Sequence, residues 1–391
     1  MASEIVSVQA IALRAPVADP VGTAGLDTIA ETVVVVITDD HGRSGIGEAD
    51  TPPLAVKELI EMTDSHSLSR GLAGMLVGRD PFPIAGLFEE MYAGTLYHGR
   101  RGLGIHALSA IDVALHDLLG KQLERPAFEL LGGSRRPHGT PYATLYAGAV
   151  NGRSFHDMTT ALLELCDRAI AIGFRAVKIE VLFEDLIDDR AMVDFVGRTR
   201  RHLGPEIVMM LDFGYRWSDW RDALWTLRRI EDADVYFTEA PLQHDDLVGH
   251  ARLARATDIR VCGAEFAATR HECREWLQIG GVDVLQPDVG RAGGLTELHR
   301  IAQMAEDYGA IVIPHGWKTG ITAAASRHFQ MAAANAPYFE MCWPTLTDAA
   351  LRSTLVLPDP AIVDGVLAVP VLPGLGIELV PEVVERYRWR S

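Results

Sequence analysis

The chain is poor in positive charge: 36 Lys and Arg stand against 53 Asp and Glu, a formal net charge of −17 over 391 residues. That balance argues against nucleic acid and anionic membrane surfaces as partners, but it leaves room for an anionic small molecule held by a few local cations. Cysteine is scarce as well. Cys166, Cys262, Cys273 and Cys342 form no C-x-x-C pair, so neither a disulfide frame nor a zinc knuckle is expected, and reduced thiols in a cytoplasmic protein are the simplest expectation. No uninterrupted apolar run approaches 18 residues, and the opening MASEIVSVQA lacks a basic stretch followed by an apolar one. Neither a membrane span nor a signal peptide is therefore expected. None of the 14 histidines forms His-x-His, which counts against hydrolases that hold metal through such a pair. Low-complexity segments are absent too.

What is present changes character along the chain. Ile5 to Arg14, Glu31 to Thr38 and Ser44 to Glu48 have strand character, the last two joined through the turn-prone Asp39-Asp40-His41-Gly42. Helical patterns follow at Leu54 to Leu76, Ile84 to Met91 and Leu103 to Leu119, where Ile111, Leu115, Leu118 and Leu119 share a face and Gly120 can end the helix. Strands followed by helices mark an α+β unit. From about Pro141 short apolar runs alternate with amphipathic stretches such as Trp220, Ala223, Leu224, Leu227 and Ile230. The runs are Tyr142 to Val150, Ala176-Val177, Ile207 to Leu211, Val235 to Phe237, Ile259 to Val261, Val282 to Leu285, Ile311 to Ile313 and Pro337 to Glu340. Eight such runs without period-two alternation predict a parallel sheet buried on both faces, closed as a modified (β/α)8 barrel. The expected division is a capping domain over 1–136, a barrel over 137–351, and a C-terminal segment over 352–391 that packs back on the cap.

Active sites of such barrels form at the C-terminal ends of the strands. The polar residues closing successive runs are Lys178, Asp212, Glu239, Glu265, Asp288, His315 and Glu340, at intervals of 34, 27, 26, 23, 27 and 25. Any one of them can be an ordinary helix cap. Six near-equal intervals carrying one cation, five acids and one histidine are not explained by caps. Asp212, Glu239 and Glu265 converge from consecutive strands, and three converging acids call for a cation; hard oxygen donors in that number suit Mg²⁺. The chemistry that needs the whole set is removal of a proton next to a carboxylate, where a divalent ion and Lys178 offset developing negative charge. His315 suits the base, Asp288 can hold its imidazole, and Glu340, protonated or sharing a proton, can bond the substrate carboxylate.

At these residues the chain resembles the enolase superfamily, in its mandelate racemase subgroup. Gly78-Arg79-Asp80-Pro81, ALSAIDVALHDLLG over Ala107 to Gly120, and Leu130-Leu131-Gly132-Gly133 are similar to the family's capping domain. Thr238-Glu239-Ala240-Pro241, Gly263-Ala264-Glu265, Gln286-Pro287-Asp288 with Arg291-Ala292-Gly293-Gly294, and Ile313-Pro314-His315 are similar to its strand-end motifs. The resemblance implies Mg²⁺ on Asp212, Glu239 and Glu265, an Asp288–His315 dyad, and Glu340 as the strand-eight carboxylate. It also implies substrate selection by cap loops near Pro16 to Leu26 and Ala49 to Leu54, and a homo-oligomer. Two places depart from the pattern. Lys178-Ile179-Glu180 puts a glutamate where the subgroup carries a second, basic lysine, and Asp212-Phe213-Gly214 has glycine where asparagine is common. Residues two apart on a strand share a face, so Glu180 should enter the site as a partner of Lys178, a contact for a substrate hydroxyl, or an acid or base.

Racemisation needs a base on each face of the carbon, whereas dehydration can use one histidine in turn as base and acid. The expectation is therefore an Mg²⁺-dependent dehydratase of a sugar acid, aldonate or aldarate, making a 2-keto-3-deoxy acid. The alternatives are a racemase, epimerase or cycloisomerase using the same chemistry, or a barrel that binds sugar acid without turnover. Of the remaining groups, Lys318 and Arg216 are read as solvated charges or substrate contacts, His98-Gly99-Arg100-Arg101 as exposed charge, and Gly293-Gly294 as a close-packing turn rather than a phosphate cradle.

Overall fold

The computed structural model describes residues 3–16, 29–148, 150, 152–183, 186–343, 345–346 and 350–390. It opens with an antiparallel meander: β1 (Ile5–Pro16), β2 (Ile29–Asp39) and β3 (Ser44–Ala49), in the order β1-β2-β3. The centre of β2 is a valine run buried on both faces. Val33, Val35 and Ile37 face the cap helices, while Val34 joins the core shared with the barrel. The β2–β3 turn is fixed by Asp39, whose carboxylate accepts the N–H groups of His41 and Arg43, both at 2.9 Å. It also takes Arg43 Nε at 2.8 Å, Gln122 Nε2 at 3.0 Å and the Ser3 hydroxyl at 3.1 Å.

Four helices complete the cap: α1 (Pro53–Glu61), α2 (Leu72–Leu76), α3 (Ile84–Gly94) and α4 (Leu103–Leu123). The single helix expected over Leu54 to Leu76 is in fact two. Between them Asp64 accepts Arg70 Nε at 2.8 Å and Gly71 N–H at 3.0 Å, and Ser69 N–H bonds the His66 carbonyl. These side-chain bonds to the local backbone compete with helix propagation. By length and composition α4 could cross a membrane, but 89% of its apolar window is buried within the protein. It lies directly on β3 because two glycines there let the backbones touch: a Cβ on Gly47 would stand 1.9 Å from the Ala110 carbonyl oxygen, and one on Gly45 2.1 Å from that of Ala114.

The barrel strands are β4 (Pro141–Leu145), β5 (Ala176–Glu180), β6 (Val208–Asp212), β7 (Val235–Glu239), β8 (Arg260–Gly263), β9 (Val284–Leu285), β10 (Ile311–Val312) and β11 (Phe339–Met341). All pair in parallel in the order β10-β9-β8-β7-β6-β5-β4-β11. The expected first strand is shorter than Tyr142 to Val150, ending at Leu145. Closure is also weaker than in an ideal barrel: among the described residues no ladder joins β10 to β11, and Glu340 N–H meets the Pro314 carbonyl at 3.3 Å. Tyr142, Ala176, Met210, Phe237, Cys262 and Val284, one from each of six strands, and Ile313, just after β10, fill the interior. Two residues further along the chain from six of these seven, about 6.6 Å on, Thr144, Lys178, Asp212, Glu239, Gln286 and His315 form the next layer, Ala264 holding the seventh place. An apolar plug thus carries a polar tier.

After Leu355 the chain runs back to the cap and to helix α4. The two-residue strands Val356–Leu357 and Glu378–Leu379 pair, Leu375 N–H bonds Asp117 Oδ1 at 2.7 Å, and Trp389 N–H bonds the Ala12 carbonyl at 2.8 Å.

Asp39 gives a stability test away from the site. Burial pushes its carboxyl up, but the bonds from Arg43, Gln122 and Ser3 outweigh this and hold it down at about 2. A depressed folded-state value means that stability is present above the unfolded pKa, near 3.8, and lost as pH falls through about 2. Asp39→Asn should therefore lower unfolding free energy at pH 7 by roughly 2 kcal/mol and flatten its fall between about pH 4 and 2. Urea titrations across that range would show it; an unchanged acid limb would exclude the role.

Candidate active site

The polar tier is built around one ammonium. Lys178, fully buried on β5, reaches Glu239 Oε2 at 2.6 Å, Glu340 Oε1 at 2.8 Å and Asp212 Oδ2 at 3.7 Å. Three neutral donors share the load. Gln286 Nε2 bonds Glu239 Oε2 at 2.7 Å, the Thr144 hydroxyl bonds Glu340 Oε1, and Gly316 N–H bonds Glu340 Oε2 at 2.8 Å. With Lys178 and His315 beside it, Glu340 is drawn down to about 2 against the upward push of burial. The donors around it therefore favour its ionised form over the protonated or proton-sharing form expected from sequence.

The other acids are less well compensated. Burial pushes Glu239 up to about 8 and Asp212 to about 6, with neighbouring carboxylates adding to both shifts. Glu239 Oε1 is buried without a hydrogen-bond partner. Glu265, on the loop after β8, takes the Tyr215 hydroxyl at Oε1. Tyr215 reaches it from a left-handed backbone conformation, φ +64°, uncommon for a non-glycine residue. An unpartnered buried oxygen and two carboxyls held above their ordinary values are what a bound cation would offset, and an all-oxygen donor set suits a hard divalent ion. Asp212, Glu239 and Glu265 therefore fit Mg²⁺.

Among the described residues, the three groups with ligand atoms all within 4.8 Å of one another are Asp50, Asp288 and His315. Their chemistry rejects a metal. Asp50 is already paired with Arg291 and with Lys318 at 2.9 Å, and two cations beside a third would be repulsive.

His315 Nδ1 lies 2.6 Å from Asp288 Oδ2, and Asp288 Oδ1 accepts Gly290 N–H at 2.6 Å. The other nitrogen, Nε2, is 3.4 Å from Glu265 Oε2 and 4.0 Å from Glu340 Oε2. Burial opposes the charged imidazole, but Glu340 and the bond to Asp288 raise it to about 9. Glu180 stands in register with Asp212 at the end of β5. It takes no hydrogen bond from a described residue, and burial with the Asp212 charge pushes its carboxyl well above the ordinary range. Gly214 leaves no side chain at its position, and the Leu182 side chain lies where a Cβ would go.

Several groups have settled roles elsewhere. Lys318 is tied to Asp50 and the Glu31 carbonyl rather than to solvent, and Arg216 bonds Asp189 and the Ile187 carbonyl. Arg101 is not free exposed charge: it pairs with Glu272 at 2.7 Å. Gly293 N–H bonds the Ser109 hydroxyl, and a Cβ on Gly294 would stand 2.4 Å from Asp112 Oδ1, so that pair serves packing against α4. Of the cap loops, Pro16 to Leu26 lies outside the described residues beyond Pro16, while the Ala49 to Leu54 segment brings Asp50 to the dyad. Sequence reasoning missed Thr144, Gln286, Glu48 and Asp50. The period-two rule would have found the first two, since each lies two residues beyond a barrel-interior side chain.

Lys178→Met should cost about 3–5 kcal/mol of stability in chelator, because it leaves Glu239 and Glu340 buried without their cation. Adding Glu340→Gln should recover part of that loss in denaturant unfolding. A single variant as stable as the parent would show that Lys178 does not hold the tier together.

Two family models match the chain: the mandelate racemase / muconate lactonizing enzyme N-terminal domain over residues 3–132, and the enolase C-terminal domain-like family over residues 161–383. An arabinonate dehydratase from Saccharolobus solfataricus is 30% identical over 364 residues, 92% of this chain and 91% of that protein. A D-galactarolactone cycloisomerase from Agrobacterium fabrum is 29% identical, covering 91% of each. A solved structure provisionally assigned as a racemase superimposes with TM-score 0.92 at 41% identity, covering 98% of each chain. A racemase from Streptomyces coelicolor, solved with bound magnesium, gives TM-score 0.83 at 26% identity, covering 98% of this chain and all of that one.

Proposed function

The chain belongs to the mandelate racemase and muconate lactonizing enzyme family of enolase-like enzymes, and from that premise we propose that it dehydrates a sugar acid, an aldonate or aldarate, to a 2-keto-3-deoxy acid. The observation that carries this reading is the asymmetry of the two faces: one histidine held by Asp288, opposite a glutamate rather than a second lysine. Relatives named as dehydratases of arabinonate and L-rhamnonate support it.

Nε2 is the imidazole nitrogen that Asp288 leaves free, so in the neutral imidazole it is the atom that takes the proton from the carbon next to the substrate carboxylate. The C–H electron pair passes into the carboxylate. As the pair returns, the bond to the β-hydroxyl breaks, and His315 gives that oxygen the same proton, releasing water; the resulting enol becomes the keto acid. Asp288 and Glu340 favour the imidazolium between those two steps. A divalent cation bound by Asp212, Glu239 and Glu265 would supply positive charge where negative charge develops on the substrate carboxylate. Glu180, raised toward its neutral form, serves as a hydrogen-bond donor to a substrate hydroxyl. A second reading, cycloisomerisation or epimerisation with Glu180 as acid on the far face, is supported by the relative named D-galactarolactone cycloisomerase.

Incubation of the protein with Mg²⁺ and a panel of aldonates and aldarates should yield keto acid, and His315→Asn should lower the rate at least about 100-fold. Full activity of that variant on the best substrate would end the role of His315. In D₂O a dehydratase gives keto acid, an epimerase returns deuterated substrate of inverted configuration, and a cycloisomerase gives a deuterated isomer. Independently of turnover, Mg²⁺ at about 100 times its Kd should stabilise the fold by about 2.7 kcal/mol, and Glu239→Gln should abolish most of that gain.

A further inference from the structure

The dyad is gripped from the cap as well as from the barrel. At the end of β3, buried Glu48 accepts at Oε2 the N–H groups of Thr319 and Thr322, both at 3.3 Å, and their hydroxyls at 2.8 and 2.7 Å. Its Oε1 takes the Thr32 hydroxyl at 2.6 Å. Two residues on, buried Asp50 pairs through Oδ2 with the Arg291 guanidinium and through Oδ1 with Lys318 Nζ at 2.9 Å. Arg291 follows Asp288 by three positions, and Lys318 follows His315 by three. One cap carboxylate therefore bridges the two loops that carry the dyad.

Arg291 is the group at stake. It is drawn by three acids, Asp50, Asp288 and Glu265, in that order of strength. Its guanidinium is within ion-pair distance of Asp50, with no ion pair to Asp288 or Glu265. A guanidinium freed from Asp50 would still be attracted by the other two carboxylates, with Nη1 already 3.3 Å from the Glu265 carbonyl oxygen, and it forks onto a carboxylate readily. Asp288 is needed to hold His315 Nδ1. We propose that Asp50 is a positioning residue: by pairing with Arg291 through one oxygen and with Lys318 through the other, it keeps the guanidinium off Asp288, so that Asp288 orients His315. The inference rests on the reading of His315 as the acid–base group, and it makes the cap part of the base rather than only a cover.

The Nδ1 proton of His315, held 2.6 Å from Asp288, should give a far-downfield NMR resonance in ¹⁵N-histidine-labelled protein, assigned by its loss in His315→Asn. Asp50→Asn should shift or abolish that resonance and reduce keto-acid formation on the order of 100-fold. Asp50→Asn/Arg291→Met, which removes the competing cation too, should restore the resonance and recover at least about tenfold in rate. A purely structural clamp would lower the melting temperature while leaving resonance and rate unchanged; that result, or a double variant worse than the single, overturns the proposal. If Asp50→Asn does not fold, the double variant decides alone: resonance present supports the proposal, resonance absent overturns it. Full activity in His315→Asn would instead remove the dehydratase mechanism and leave the NMR comparison standing.

Discussion

One buried ammonium governs the architecture of the site. Lys178 touches two carboxylates and lies near a third, in a tier where Glu180 and Glu265 add two more acids. A single positive charge cannot neutralise that number, and desolvated charge without a partner is costly. The remaining structure divides the problem. Glu340 receives Lys178, Thr144 and a backbone N–H, which favour its ionised form; Glu239 receives Lys178 and Gln286 on one oxygen and nothing on the other. The one partnerless carboxylate oxygen among these acids is Glu239 Oε1, on the strand that pairs with the Asp212 strand, and the all-oxygen donor set of Asp212, Glu239 and Glu265 suits a divalent ion.

Much of this was legible because a parallel barrel repeats. Each βα unit takes about the same chain length, so Lys178, Asp212, Glu239, Glu265, Asp288, His315 and Glu340 could be recognised from their intervals as lying at or just beyond successive strand ends. Their protonation was less legible, since it depends on neighbours from other strands. Thr144, Lys178 and Gly316 converge on Glu340 from three different segments, and none of them is visible from the residue's own place in the sequence. The cap was harder. Apolar spacing continues from Leu54 to Leu76, and only the local bonds of Asp64 and Ser69 reveal why the helix breaks. Lys318 and Arg101 looked like surface charge because their partners, Asp50 and Glu272, are distant in sequence. Long-range ion pairs leave no periodic trace.

The barrel is least regular where its chemistry is concentrated. Strand β10 is followed by Pro314, which has no N–H to donate, so the ladder toward β11 cannot continue through it. Its carbonyl still accepts Glu340 N–H at 3.3 Å, which sets Glu340 beside the loop that begins at His315. With the ladder interrupted, Gly316 N–H turns inward to Glu340 Oε2 instead of pairing along a strand. The gap in the barrel wall is therefore filled by the site itself. His315 and Glu340 stand at this seam, and from the cap Asp50 ties the loop of Asp288 to the loop of His315 through Arg291 and Lys318, so the base sits where the cap can act on both halves of the dyad.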